Sequence, residues 1–253
     1  MAAVTAERPV RGEPVPSVPT VVSVARSGDR TRPVALRTGT FLAPCAMRRP
    51  GTAQRVALTG VRASLCAGDE VDLRVDVGPG AELELSDPNG TLAYNARGGR
   101  AAWCARVTVA EGGRMTWYEP SFVVSSGADV LREIDVVLAP GAELLWWETL
   151  VLGRAGEQGG ALRSRTRVEH EGAELLVEDL DLRDVGEREL PGIIGPARVL
   201  GQVGLFGRVP GLPVGADRLD LAGPGALWRS AARRTYRADA ELAPVWQAWG
   251  GHG

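Results

Sequence analysis

One short motif, repeated four times, constrains this chain more than any other feature. Gly80-Ala81-Glu82-Leu83, Gly113-Arg114-Met115, Gly141-Ala142-Glu143-Leu144 and Gly172-Ala173-Glu174-Leu175 follow one another at spacings of 33, 28 and 31 residues. Each opens a strand-like run, and each comes just after another such run, at 71–77, 105–109, 134–138 and 166–168. No single unit of this kind can bury its own apolar face. A strand–turn–strand unit at this period therefore predicts stacked repeats that cover one another. The turn residues agree, since Gly78-Pro79-Gly80, Pro140-Gly141 and Asp87-Pro88-Asn89-Gly90 offer a preset φ followed by a residue free to take a positive one. The expected fold is all-β: a β-helix or solenoid-like stack of hairpins, ending in a short helical segment.

The third unit carries the most informative side chain. Read as a strand over 141–157, it places Leu144, Trp146, Glu148, Leu150 and Leu152 on one face. A carboxylate among large apolar groups costs several kcal/mol unless it is paired, protonated or bound to a cation. In the fourth unit Glu178 sits the same way among Leu176, Leu180 and Leu182. In the first unit Asp69 shares parity with Val71, Leu73, Val75 and Val77. Each acid alone is compatible with a turn cap or an arginine pair. Together they suggest a line of oxygen ligands through the interior, of the kind that holds a divalent cation loosely enough to let it move.

Several function classes are excluded early. Lysine is absent, so no Gly-Lys-Ser/Thr phosphate loop exists. Gly78-x-Gly80 has no third glycine and lies in a turn between strands, and no Gly-x-Ser-x-Gly elbow occurs. Net charge is −2, which gives no pull toward nucleic acid or anionic membrane. Cys45, Cys66 and Cys104 form neither a disulfide framework nor a zinc motif, and His170 and His252 are the only imidazoles. Asn89-Gly90-Thr91 reads as a turn rather than a glycosylation site.

Residues 1–19, with Pro9, Pro14, Pro16 and Pro19, read as a flexible lead-in with no secretory or anchoring pattern, so the protein is expected to be cytoplasmic. Residues 20–253 read as a single β domain. Its tail, about 225–253, is expected to be helical, with Leu227, Ala231, Arg234 and Ala238 on one face and Pro244 ending the ordered part. Trp228, Trp246 and Trp249 leave this tail rich in indole, either docked on the body or held for a partner. Anchoring is preferred, because interface anchors are commonly Trp and Arg.

Ala67-Gly68-Asp69, Pro79-Gly80-Ala81 with Pro88 and Tyr94, Trp117, Trp147-Glu148 followed by Gly153-Arg154 and Gly156-Glu157, Leu175-Leu176-Val177-Glu178, Trp228-Arg229 and Pro244-Val245-Trp246 together resemble the UreD (UreH) family of urease accessory proteins. The resemblance runs from about Thr20 to the C-terminus. It implies a non-enzymatic chaperone with a β-helix-like scaffold, which binds UreF and the GTPase UreG and docks on apo-urease during GTP-dependent nickel insertion. No tightly bound cofactor is implied, only nickel in transit along an internal path. By resemblance that path would use Asp69, Glu148 and Glu178, with a hydroxyl at Thr91. From the composition of the tail, Trp228, Arg229, Trp246 and Trp249 are the expected partner-binding residues. Where the family has its Trp-Leu-Pro-Gln-acid segment, this chain has Trp117-Tyr118-Glu119-Pro120-Ser121. The acid is displaced, and Glu119 is left out of the expected path.

The rival reading is a carbohydrate-active hydrolase of β-helix form, with two carboxylates as acid and nucleophile. It fits poorly with the low aromatic content and the expected lack of export.

Overall fold

The computed structural model describes residues 17–48, 51–95, 97–211, 215 and 217–251. Most of the expected lead-in, His252 and part of the 210–213 break lie outside them. The strands in chain order are β1 (Thr20–Ser27), β2 (Arg30–Arg37), β3 (Leu42–Met47), β4 (Gln54–Gly60), β5 (Glu70–Val77) and β6 (Glu82–Ser86). They continue as β7 (Thr91–Ala93), β8 (Ala101–Val109), β9 (Arg114–Val124), β10 (Asp129–Leu138) and β11 (Glu143–Leu152). After β12 (Ala161–His170) and β13 (Ala173–Asp181) come the single-turn helix α1 (Val185–Arg188), β14 (Val199–Phe206) and β15 (Arg218–Asp220). β16 (Gly225–Ala232) and α2 (Thr235–Ala248) finish the chain.

The repeats stack as expected, with one difference in how each unit closes. β5, β8, β10 and β12 run parallel in one sheet, ordered β13-β12-β10-β8-β5-β1-β2. β4, β6, β9 and β11 run parallel in a second, which β14 and β16 continue antiparallel. The two strands of a unit thus belong to opposite sheets, and the turn between them is an arch rather than a hairpin. Arches let apolar residues of both strands meet in one interior, which a flat hairpin cannot do. Gly80 and Gly141 take φ of +60° and +67° in these arches, where a side chain would be strained. Turn also bonds to turn, Gly80 N–H donating to Glu111 O at 3.0 Å and Gly112 N–H to Pro140 O at 3.1 Å. The fourth unit alone folds back as a true hairpin, β13 pairing antiparallel with β12 and ending the first sheet.

The core lies between the sheets, as parity demands. Val71, Leu73, Val75 and Val77 face Leu83, Leu85, Met115 and Trp117, all buried. In-register strands also stack like side chains, the Trp117 and Trp146 rings lying 5.4 Å apart and near parallel.

The tail corrects the sequence reading twice. Gly225–Ala232 is not helix but strand β16, held over eight positions to β14. Ladder pairing and burial of Ala226 and Leu227 override the weak helical bias of Ala, Leu and Arg. The helix then begins at Thr235 and runs through Pro244 to Ala248. Pro244 is exposed, and so is Ala240, whose carbonyl loses its usual helical donor to the proline. α2 lays Ala238, Leu242, Val245 and Trp246 on the outer face of the second sheet. Gly201 permits the contact, since a Cβ there would come within 2.6 Å of Leu242. Covered by α2 outside and the core inside, β11 is buried on both faces, which is why its sequence is an almost unbroken apolar run.

Candidate functional site

Glu148 of β11 is 4% exposed and points into the interior, as its parity predicts. Its register neighbours were not all anticipated. Across the second sheet it lies beside Glu119 of β9 and Gln202 of β14, and Gln202 lies beside Arg229 of β16. Four neighbouring strands each contribute one polar residue to a single row, which predicts a seam about 14 Å long at roughly 4.8 Å per strand. A bulge in β9 makes the row possible. Glu119 pairs with Glu148 but Phe122 with Leu150, so Pro120 and Ser121 share one step. The extra residue turns both Glu119 and Phe122 inward, and proline suits a bulge because it has no N–H to leave unpaired.

From the facing sheet, Arg132 of β10 enters this row fully buried. Its Nη2 donates to Glu119 Oε2 at 2.7 Å, and its Nη1 lies 2.7 Å from Glu148 Oε2 and 3.4 Å from Ser164 Oγ. The Glu148 approach is an ion contact off the line of a hydrogen bond, so Glu148 Oε2 has no hydrogen-bond donor; nor has Glu119 Oε1. The rings of Trp103, Phe122 and Trp146 stand 5.1, 5.5 and 5.8 Å from the guanidinium carbon. Gln202 Nε2 donates to Glu148 Oε1.

Two carboxylates share one cation here, and the dry surroundings disfavour both charges. Burial raises Glu119, and Arg132 opposes it. Burial pushes Glu148 up to about 7 against the pull of Arg132, and Glu119 and Glu178 push it further. For Arg132 burial works downward, but the two carboxylates outweigh it and hold the guanidinium firmly charged.

A stability prediction follows from Glu148. Its folded pKa lies above the ordinary 4.5, so the protonated acid favours folding. That contribution is complete below about pH 4.5 and is lost as pH rises through about 7, on the order of 3 kcal/mol in all. Urea unfolding of the wild type and Glu148→Gln is expected to show the wild type losing stability relative to the variant between about pH 5 and pH 8. A constant difference across that range would mean that Glu148 stays ionised.

The other expected path residues scatter. Glu178 of β13 is partly buried and close enough to Glu148 to affect its charge, but it is paired with Arg229 at 2.7 Å. Asp69 lies just before β5. Its Oδ2 accepts the Cys66 N–H at 2.8 Å and Arg62 is 3.7 Å away, so it caps a turn. Register puts Val71, not Asp69, in line with Trp103 and Arg132. Thr91 on β7 pairs beside Phe122, outside the row. The single line of Asp69, Glu148 and Glu178 is therefore replaced by a seam of Glu119, Arg132, Glu148 and Gln202 that ends at the Arg229–Glu178 pair. Asp87 adjoins its other end, its carboxylate accepting from Gly90 N–H at 3.0 Å while its charge raises Glu119. The missed members were within reach of the same alternation argument, since Glu119 shares parity with Met115 and Trp117, and Arg132 with Val130 and Ile134. Among the described residues no three His, Cys, Asp or Glu side chains gather where they could hold a metal ion.

Glu157 of the Gly153-Arg154-x-Gly156-Glu157 motif has a structural role. It accepts from Arg154 N–H at 2.9 Å and from Arg154 Nε at 2.8 Å, and the Arg154 side chain chiefly holds its pKa down near 2. The three cysteines are free, and burial pushes the Cys104 thiol up to about 11.

The tail is docked, which corrects the preference for free anchors at Trp246 and Trp249. They are 4% and 2% exposed and hold α2 to the sheet. Trp228 and Arg229 are half-buried on β16. A hydrolase reading gains nothing from this geometry, since Glu119 and Glu148 are enclosed and bound to one arginine, where no polysaccharide reaches them.

A family model described as UreD urease accessory protein matches residues 20–252. The urease accessory protein UreD 1 of Streptomyces griseus is 50% identical over 235 residues, 92% of each chain. UreD 1 of Saccharopolyspora erythraea is 38% identical over 196 residues, 74% of this chain and 76% of its own.

Proposed function

The chain belongs to the UreD urease accessory protein family, and from that membership we propose that it is a non-enzymatic urease maturation factor working in the cytoplasm. In this reading it binds UreF and the GTPase UreG, docks on apo-urease, and assists GTP-dependent insertion of nickel, which is cargo and not a resident cofactor. The observation that carries the proposal is 50% identity sustained over 92% of both chains with the S. griseus protein. Half-identity over that length leaves little room for a different architecture.

The interior seam supports a route for the cargo. Its donors are carboxylate and amide oxygens, which bind a borderline divalent ion less tenaciously than thiolate or imidazole. Glu119 Oε1 has no hydrogen-bond donor, and Glu148 Oε2 has only the Arg132 ion contact. Arg132 stands between the two acids, so an ion following the seam competes with a guanidinium for them. Glu148 and Glu178 are the expected path residues nearest this route, whereas Asp69 and Thr91 would serve only at its approaches. Partner contact falls to the outer face of α2, where Tyr236 is 64% exposed, and to half-buried Trp228 and Arg229, with Trp246 and Trp249 supporting the helix from beneath.

The test is reconstitution of the urease and accessory genes with and without this one. Loss of the gene is expected to leave urease assembled but nickel-poor; fully loaded urease in its absence would overturn the reading. Glu148→Gln and Glu178→Gln are expected to lower nickel content and urease activity several-fold while UreF still co-purifies. Wild-type activation by both variants would remove the route and leave the scaffold.

A further inference from the structure

An open cleft of about 580 Å³ lies where the 153–156 loop, the start of β14 and the β16–α2 junction meet. Its floor includes Val123, Val151 and Val199, and four arginines line it: Arg154, Arg198, Arg233 and Arg234. The chain as a whole carries net charge −2, so this concentration of positive charge is local.

The four are neutralised unequally. Arg154 is bound to Glu157, and Arg198 donates to Leu152 O through Nε and Nη2 at 3.3 and 3.1 Å, which fixes it without neutralising it. The side chains of Arg233 and Arg234 make no ion pair or hydrogen bond among the described residues. Their position sharpens the imbalance. They precede α2, whose cap residue is Arg234 with no side-chain capping bond, and whose first turn holds no acid. A helix start ordinarily attracts negative charge. Here Arg233, Arg234 and the first-turn Arg237 supply positive charge instead, and Glu241 is the acid that lines the adjoining hollow. A second hollow of about 490 Å³ continues past Arg233 and Arg234 to Tyr236, Arg237 and Glu241.

We propose that this cleft binds an acidic, apolar-studded segment of a partner protein, with carboxylates on the arginine rim and aliphatic side chains on the valine floor. Two adjoining hollows that share Arg233 and Arg234 fit an extended chain better than one compact oxyanion. An apolar floor has nothing to offer a bare phosphate. Guanidinium groups also suit carboxylates, which they meet with paired donors. The inference requires neither a nickel route nor a particular partner, so it stands or falls separately from the maturation role.

The test uses the full chain and a short fluorescein-labelled peptide alternating Glu with Leu, read by anisotropy. Binding is expected to weaken as salt rises and to vanish for the counterpart with Gln in place of Glu. The exposed pair Arg233→Gln/Arg234→Gln is expected to weaken it about ten-fold, with an unchanged circular dichroism spectrum. Arg237→Gln, which touches only the second hollow, is expected to weaken it less. Equal binding of the Gln peptide, or undiminished binding by the double variant, would overturn the proposal. So would displacement of the peptide by inorganic phosphate together with indifference to Arg237→Gln, because the cleft would then be a compact oxyanion pocket.

Discussion

Replacing Arg132 with methionine is expected to destabilise the protein by about 3–5 kcal/mol, the range found when one partner of a buried ion pair is removed and the other charge is stranded. Two charges would be stranded here. Glu119 and Glu148 are 1% and 4% exposed, and both rely on the same guanidinium. Methionine keeps most of the volume beside Trp103, Phe122 and Trp146, so the loss reports charge rather than a cavity. Lysine is no full remedy, since its charge sits on one compact nitrogen, whereas the guanidinium sets Nη1 and Nη2 each 2.7 Å from a different acid.

Two signatures distinguish this account from simple core damage. Lowering the pH allows the stranded acids to protonate, so the deficit of Arg132→Met is expected to shrink between about pH 8 and pH 5. Adding Glu119→Gln and Glu148→Gln to Arg132→Met is expected to recover much of the loss, because it removes the two stranded charges themselves. Urea unfolding at the two pH values measures both. A deficit under about 1 kcal/mol, or one that ignores pH, would mean that the seam is wet and its charges are independently solvated.

How far the sequence could be read depended on the period of the signal. Alternation is local, and so the burial of Glu148 between Trp146 and Leu150, and the inward parity of Glu178, were legible from a few neighbouring residues. So was the stack, because the Gly-Ala-Glu-Leu arches recur at a nearly fixed interval. What alternation cannot convey is register between strands. Nothing in the order of residues says that Glu119, Glu148, Gln202 and Arg229 fall in one row, or that Arg132 from the opposite sheet meets them. Asp69 had the right parity but lies beyond the end of its strand, where the carboxylate caps a turn instead of entering the core. Glu119 was set aside for a different reason: its parity with Met115 and Trp117 is inward, but the family pattern puts its acid two positions later. In 225–232 a helical spacing was present by composition alone, and eight ladder pairs with β14 decided otherwise.

The same limit bears on the indoles of the tail, and there a single substitution separates the two meanings an exposed-looking tryptophan can have. Trp246→Ala is expected to cost the lone chain about 3–5 kcal/mol. At about 2–4 °C per kcal/mol for a chain of this size, that lowers the melting temperature by on the order of 10 °C. The indole is 4% exposed and lies 5.7 Å from the Tyr118 ring and 5.8 Å from that of Trp147. Without it α2 loses its hold on a sheet face made of Leu145, Trp147, Val203 and Leu205, which would then face water and bind a hydrophobic dye. Tyr236→Ala on the outer face of the same helix is expected to stay within about 0.5 kcal/mol of wild type. Were Trp246 an anchor for a partner, the order would reverse. The isolated protein would melt as before, and only its affinity in the complex would fall. Thermal melts of the two variants without any partner therefore decide whether the helix is part of the body or an arm extended from it.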